Sequence, residues 1–144
     1  MTIIAWDGYT LAADKAAHNN GYLSTVTKIY RVPDGLVGLS GDGDAAMDLL
    51  EWFQNGRIAK DYPAAQKGNG DRSGALFIDK QKQIWSYDKS PNAQQYMQKF
   101  HAMGCGRDYA MATMHLGFDS VKAVEVACAL DVYCGNGIDC ITFD

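Results

Sequence analysis

Tight turns cut this chain into short apolar runs, and that punctuation limits the folds open to it. Asp7-Gly8 stands between strand-like residues 2–6 and 10–14, and an Asp-Gly pair between apolar runs is a strong hairpin signal. Pro33-Asp34-Gly35 separates the alternating run 24–32 from residues 36–40, which read as a buried strand. Asp79-Lys80 joins residues 74–78 to 83–87, residues 96–103 read as one further strand, and residues 139–143 close the chain as a strand. The polar stretch His18-Asn19-Asn20-Gly21 reads as a break in the pattern.

Helices interrupt the strands at two places. After Gly41-Asp42-Gly43-Asp44, the residues Ala46, Leu49, Leu50 and Phe53 recur at helical spacing, with Asp42 or Asp44 as cap and Gly56 as stop. Residues 107–116 form a second helix, ended by Gly117, and a third runs from Asp119 or Ser120 to about Leu130. Residues 57–73, with Pro63 and Gly68-Asn69-Gly70, read as a helix remnant and an exposed loop. Hairpin connections imply mostly antiparallel sheets, and helices segregated outside them imply an α+β layered fold. With no repeat, low-complexity tract or linker, residues 1–144 read as a single domain.

Composition narrows the partners. A formal net charge of −4 and the lack of clustered Lys and Arg argue against nucleic acid or an anionic membrane. No run is apolar for the length of a membrane span, and the first residues lack the pattern of a secretory signal, so the expected location is the cytoplasm. Cys105, Cys128, Cys134 and Cys140 fit that location as free thiols. Three of them fall at intervals of six, which matches no zinc-ligand spacing, so neither a metal nor a cofactor is expected.

Four features bear on chemistry. Thr2 becomes a chain terminus if Met1 is removed, and its freed amine, with a pKa of about 7.7–8.0, could take the proton of its own hydroxyl. Read alone, Thr2 is equally a strand-starting β-former. Asp14 in "LAADK" and Lys28 in "STVTKIY" are charges in apolar runs. If both turn inward they must pair, and the cation then favours a nearby alkoxide; if not, they are surface charges. Finally, "LSGDGD" precedes the first helix, and a backbone amide at Gly41 is a reasonable oxyanion donor or simply part of a tight turn.

Taken together, these segments resemble the proteasome β-subunits and the bacterial HslV peptidases of the N-terminal-nucleophile hydrolase superfamily. "TIIAWDGYTLAAD" is similar to the nucleophile hairpin, "VTKIYRV" to the lysine strand, and "GLVGLSGDGDAAMDLL" to the glycine turn and first helix. "AMGCGRDYAMATMHLG" and "ALDVYCGNGID" resemble the later glycine turn with its helix and the turn that completes the site. The resemblance implies a four-layer αββα sandwich of two mostly antiparallel sheets and hydrolysis of peptide bonds by Thr2. It implies that Asp14 and Lys28 tune the nucleophile, that Gly41 supplies the oxyanion amide, and that Asp131 stands beside the threonine amine. Ala17, Val26 and Leu39 would line an apolar pocket for the side chain before the cleaved bond, and His18 would line the substrate path. His101 and His115 read as structural.

The sequence departs from the family at two positions. Cys105 and Cys134 stand where the family carries serine, so both would line the site with a thiol, a weaker donor and acceptor than a hydroxyl. The first hairpin also reads as unusually short, with a two-residue turn. The family resemblance implies a homo-oligomer acting on peptide or unfolded protein, with an ATP-dependent unfoldase as a further partner. Two other functions stay open from sequence. One is a catalytically silent assembly subunit, and the other is an amidohydrolase acting on a small amide.

Overall fold

The computed structural model of the chain describes residues 1–68, 70 and 73–144. Its strands are β1 (Ile3–Trp6), β2 (Leu11–Asp14), β3 (Ala16–Asn19), β4 (Tyr22–Thr25), β5 (Ile29–Val32), β6 (Gly35–Gly41), β7 (Ser73–Asp79), β8 (Ile84–Tyr87), β9 (Gln94–Tyr96), β10 (His101–Gly104) and β11 (Ile138–Ile141). The helices are α1 (Gly43–Gln54), α2 (Arg107–His115) and α3 (Ser120–Leu130). Asn69, Asp71 and Arg72, within the loop expected over 57–73, lie outside the described residues.

Side-chain alternation explains the layering. Successive residues of a strand face opposite sides of its sheet, and β1 is buried on both sides. Ile3 and Ala5 point to one face, where Ala102, Ala110, Met114, Val124 and Ala127 pack them under α2 and α3. Ile4 and Trp6 point to the other, where they meet Ile29, Leu36, Leu76, Ile78 and Ile84. The second sheet repeats the pattern. Leu36 faces inward, while Val37, Leu39 and Phe77 face Leu49, Leu50 and Phe53 of α1. Three apolar layers therefore separate four layers of structure, in the order α1, sheet, sheet, α2 with α3. This is the αββα sandwich expected from the sequence.

The sheet orders are β10-β1-β2-β11 and β5-β6-β7-β8-β9, with β3-β4 as a separate hairpin. Each of these pairings is antiparallel. Strand β1 is thus an interior strand, hydrogen-bonded on both edges, which holds the segment after Thr2 in one position.

Several boundaries differ from the sequence expectation, each for a local reason. Pairing of β1 with β2 stops at Trp6 and Leu11, so the connection spans residues 7–10 rather than a two-residue turn. Asp7 causes this, because Oδ1 accepts the N–H groups of Tyr9 and Thr10, both at 2.8 Å. His18-Asn19-Asn20-Gly21 does not break the pattern but turns the β3–β4 hairpin, with Asn20 at φ 51° and Gly21 at φ 81°. Both central residues in the left-handed region suit the twist of a two-residue hairpin.

The expected strand 24–32 divides at residues 26–28, where the backbone leaves the β3–β4 hairpin to enter the second sheet. Residues 96–103 divide at 97–100, so that β9 belongs to one sheet and β10 to the other. The segment after α1 is not wholly exposed. Tyr62 and Gln66 are buried, and the Gln66 amide bridges Ser73 and the Asp88 carbonyl. His101 stacks on Tyr96 at 4.3 Å between ring centroids, and burial lowers its pKa. His115 ends α2, as expected for a cation near a helix C-terminus.

Asp7 also ties the first hairpin to the far helix layer, since Oδ2 accepts the Ser120 N–H at 2.8 Å. Partial burial raises its pKa, but the hydrogen bonds from Ser120, Thr10 and Tyr9 outweigh that and leave it lowered. A carboxyl depressed on folding stabilises above its unfolded pKa, about 3.9, and that stability is lost as pH falls through the lower folded value. Asp7→Asn is therefore expected to cost about 1–3 kcal/mol at neutral pH in urea unfolding. The gap to wild type should shrink below about pH 4; a gap independent of pH would contradict the clamp.

Candidate active site

The site forms where β1 begins. Asp14 ends β2, and its carboxylate is fully buried between the layers. Burial of a charge is costly unless it is paired and hydrogen-bonded, and this one has three donors. Oδ1 accepts from Lys28 Nζ at 2.7 Å and from the Ile3 N–H at 3.1 Å, and Oδ2 accepts from the Gly135 N–H at 3.0 Å. The two charges expected to pair if turned inward do both.

Lys28 lies at the bend between β4 and β5. Its backbone carbonyl accepts from the Leu39 N–H at 2.9 Å, which anchors the residue to β6 while the side chain runs inward. Besides Asp14, Nζ donates to Thr2 Oγ1 at 3.3 Å and to the Met1 carbonyl at 3.3 Å. An ammonium held this close to a hydroxyl lowers the cost of negative charge on that oxygen.

Thr2 is only 6% exposed. Its carbonyl accepts from the Gly106 N–H at 3.3 Å, and its N–H donates to Cys105 Sγ at 3.2 Å. Gly104 permits this contact. It has φ 110°, and a Cβ there would lie 2.0 Å from the Thr2 carbonyl oxygen, so only glycine lets the turn close on the chain start.

Behind Cys105 stands Cys134, with the sulfurs 3.7 Å apart. Burial, reinforced by the neighbouring Cys105, pushes the Cys134 thiol up and keeps it protonated. Cys128, on α3, is likewise raised, to about 11, by burial and then by the charge of Asp14. Asp131 caps α3 at its C-terminus and sits one step back from Thr2. Its Oδ1 accepts the Tyr133 N–H at 2.9 Å, and its carboxylate lies within 4.8 Å of the sulfurs of Cys105 and Cys134.

In front of Thr2 opens a cleft of about 720 Å³. Thr2, Lys28, Gly41, Ala17, His18, Val26 and Leu39 all reach its wall, together with Ser40, Ala46 and Met47. Gly41 has φ 105° at the junction of β6 with α1, and Asp42 then caps the helix by accepting the Ala45 N–H at 2.9 Å. His18 packs edge-on against Tyr133, and its Nε2 has no hydrogen-bond partner among the described residues.

Every candidate residue named from the sequence thus lies at the cleft or directly behind it. The residue sequence reasoning missed is Gly135. Its N–H donates to the Asp14 carboxylate and its carbonyl accepts the Lys15 N–H, both at 3.0 Å, so it holds the side chain of Asp14 and the backbone of the residue that follows. Its only signal was its place in the "CGNG" turn, because its contribution comes from backbone groups.

No protein-family model matches the sequence, and no curated protein does either. Solved structures do match the fold. Eukaryotic HslV from Trypanosoma brucei superposes with a TM-score of 0.72 at 18% identity, covering 97% of each chain. BPH from Thiobacillus denitrificans, in complex with epoxomicin, superposes with a TM-score of 0.73 at 17% identity over 100% of this chain and 98% of that one. A further structure of Thiobacillus denitrificans BPH gives 0.70 at 18% identity. At such identity the likeness is one of fold, and it extends from end to end of the chain. The proteasome/HslV-type fold expected from the sequence is the fold found.

Proposed function

We propose that this chain is a threonine-type peptidase in which Thr2, freed of Met1, is the nucleophile. One observation carries the reading: Thr2 lines the cleft, and its Oγ1 is 3.3 Å from an ammonium that is itself buried against Asp14. A hydroxyl on an exposed strand start would have no such partner. Oγ1 attacks the carbonyl carbon of the substrate, and its proton passes to the freed Thr2 amine. Lys28 offsets the charge on Oγ1, and the Gly41 amide receives the developing oxyanion. The amine returns the proton to the leaving nitrogen as the peptide bond breaks. Water then hydrolyses the ester on Thr2 and regenerates the hydroxyl.

Ala17, Val26 and Leu39 give the cleft an apolar wall beside Thr2, which suits an apolar side chain before the cleaved bond. On this reading the chain works in the cytoplasm as a homo-oligomer on peptide or unfolded-protein substrates.

A second reading has its own observation. Lys28 Nζ donates to the Met1 carbonyl at the same 3.3 Å as to Thr2 Oγ1. While Met1 is attached, the Thr2 nitrogen is an amide with no basic lone pair, and the chain is a silent assembly subunit. Intact mass separates the two. Native protein should lack the mass of one methionine residue. Native protein that keeps Met1 throughout supports the silent subunit, and Met1-free chain that hydrolyses no peptide overturns the peptidase reading.

A further inference from the structure

We propose that Cys105, Asp131 and Cys134 form a binding site for a soft divalent cation of the zinc class, set against the α-nitrogen of Thr2. The three residues come from the turn after β10 and from the turn that follows α3, yet their ligand atoms all lie within 4.8 Å of one another. The sulfurs are 3.7 Å apart. A tetrahedral ion with metal–sulfur bonds of about 2.3 Å holds two thiolates about 3.8 Å apart, so the pair is already spaced for it.

The chemistry of the set selects the ion. Two thiolates and one carboxylate suit zinc and its congeners, whereas magnesium and calcium take oxygen ligands. The surroundings hold the ligands in place. The Cys134 N–H donates to the Asp131 carbonyl at 3.2 Å, which fixes those two residues in one turn. Asp131 Oδ1 accepts the Tyr133 N–H, which orients the carboxylate. Gly106 keeps space beside the buried sulfur, since a Cβ there would stand 3.2 Å from Cys134 Sγ. Cys105 is exposed and provides the way in.

Binding breaks two S–H bonds and forms two metal–sulfur bonds, and the two protons leave to solvent. The fourth position faces Thr2 N, which is 3.2 Å from Cys105 Sγ. With Met1 attached, that nitrogen is an amide and water takes the fourth position. With Met1 removed, the free amine ligates the ion. That last ligand rests on the proposed nucleophile, whereas the three side-chain ligands do not. A metal-bound amine has no lone pair for the Thr2 proton, so the ion holds the peptidase inactive until it is withdrawn.

Cadmium reports the site without reference to activity, because its thiolate complexes absorb in the near ultraviolet. The full chain, reduced with a non-thiol phosphine, should show a charge-transfer band that saturates at one cadmium per chain. Cys105→Ser and Cys134→Ser should each abolish the band, Cys140→Ser should keep it, and Asp131→Asn should weaken cadmium binding at least about 10-fold. Circular dichroism establishes that each variant is folded. A folded wild type with no saturable band, or a band that survives in both Cys105→Ser and Cys134→Ser, overturns the site. The Met1-free chain should bind cadmium at least about 10-fold more tightly than the Met1-bearing chain, and equal affinities overturn the amine as ligand. Peptide hydrolysis by metal-free protein is scored separately. Hydrolysis without a cadmium band defeats this proposal alone, and a band without hydrolysis defeats the peptidase reading alone.

Discussion

Thr2→Ala is expected to lower peptide hydrolysis by the Met1-free chain at least about 1,000-fold, because an N-terminal nucleophile has no substitute on the same residue. The fold should survive. Among the described residues the Thr2 side chain makes no hydrogen bond to a strand, and its Oγ1 contact is one of three that Lys28 Nζ makes, at 3.3 Å against 2.7 Å for Asp14. Loss of that single contact should change stability by no more than about 1 kcal/mol. Thr2→Ser keeps the hydroxyl and the amine and should retain measurable activity. The measurement is an initial rate on fluorogenic peptides with an apolar residue before the cleaved bond, beside urea midpoints for each variant. Equal rates for wild type and Thr2→Ala, at matched stability, would falsify the nucleophile assignment. A wild type inert on peptides but active on small amides would instead make the chain an amidohydrolase.

How much of this was legible in the sequence depends on the range of the forces involved. Turn chemistry is local, so Asp7-Gly8, Pro33-Asp34-Gly35 and Gly56 announced themselves. Asn20-Gly21 carried an equally local signal, but the residues around it lack apolar alternation. The β3–β4 hairpin lies outside the two main sheets, and Tyr22 and Leu23 are exposed, so no core face marked its strands. The break at residues 97–100 was hidden for the opposite reason. Its two flanks are both strand-like, and only the tertiary fold sends them to different sheets. Asp14 and Lys28 stood out because charges are rare inside apolar runs, and burial then forces such charges to pair. Cys105, Asp131 and Cys134 gave no such sign of their own, and only the family resemblance set them beside Thr2. Cys105 and Cys134 are 29 positions apart, and what joins them is the packing of two turns against the start of β1, which no spacing rule encodes.

Lys28→Met is expected to destabilise the chain by about 3–5 kcal/mol, the usual cost of removing one partner from a buried ion pair. The substitution roughly keeps the volume of the side chain, so little of the loss comes from a cavity. What remains is the Asp14 carboxylate, fully buried, with its N–H donors from Ile3 and Gly135 but with no cation. For a chain of this length the loss corresponds to a fall in Tm of about 10–15 °C. Calorimetry on wild type and variant reads the effect directly. Replacing both members, Asp14→Leu with Lys28→Met, removes the stranded charge along with its partner. It should recover only part of the stability: apolar replacement of an entire buried pair is often neutral, but here the Ile3 and Gly135 N–H groups lose their acceptor. The double variant should nonetheless hydrolyse no peptide, because nothing then offsets charge on Thr2 Oγ1. A Lys28→Met chain within 1 °C of wild type would mean that the ammonium is not buried against Asp14 at all. A stable double variant with wild-type activity would mean that the pair serves the fold and not the threonine.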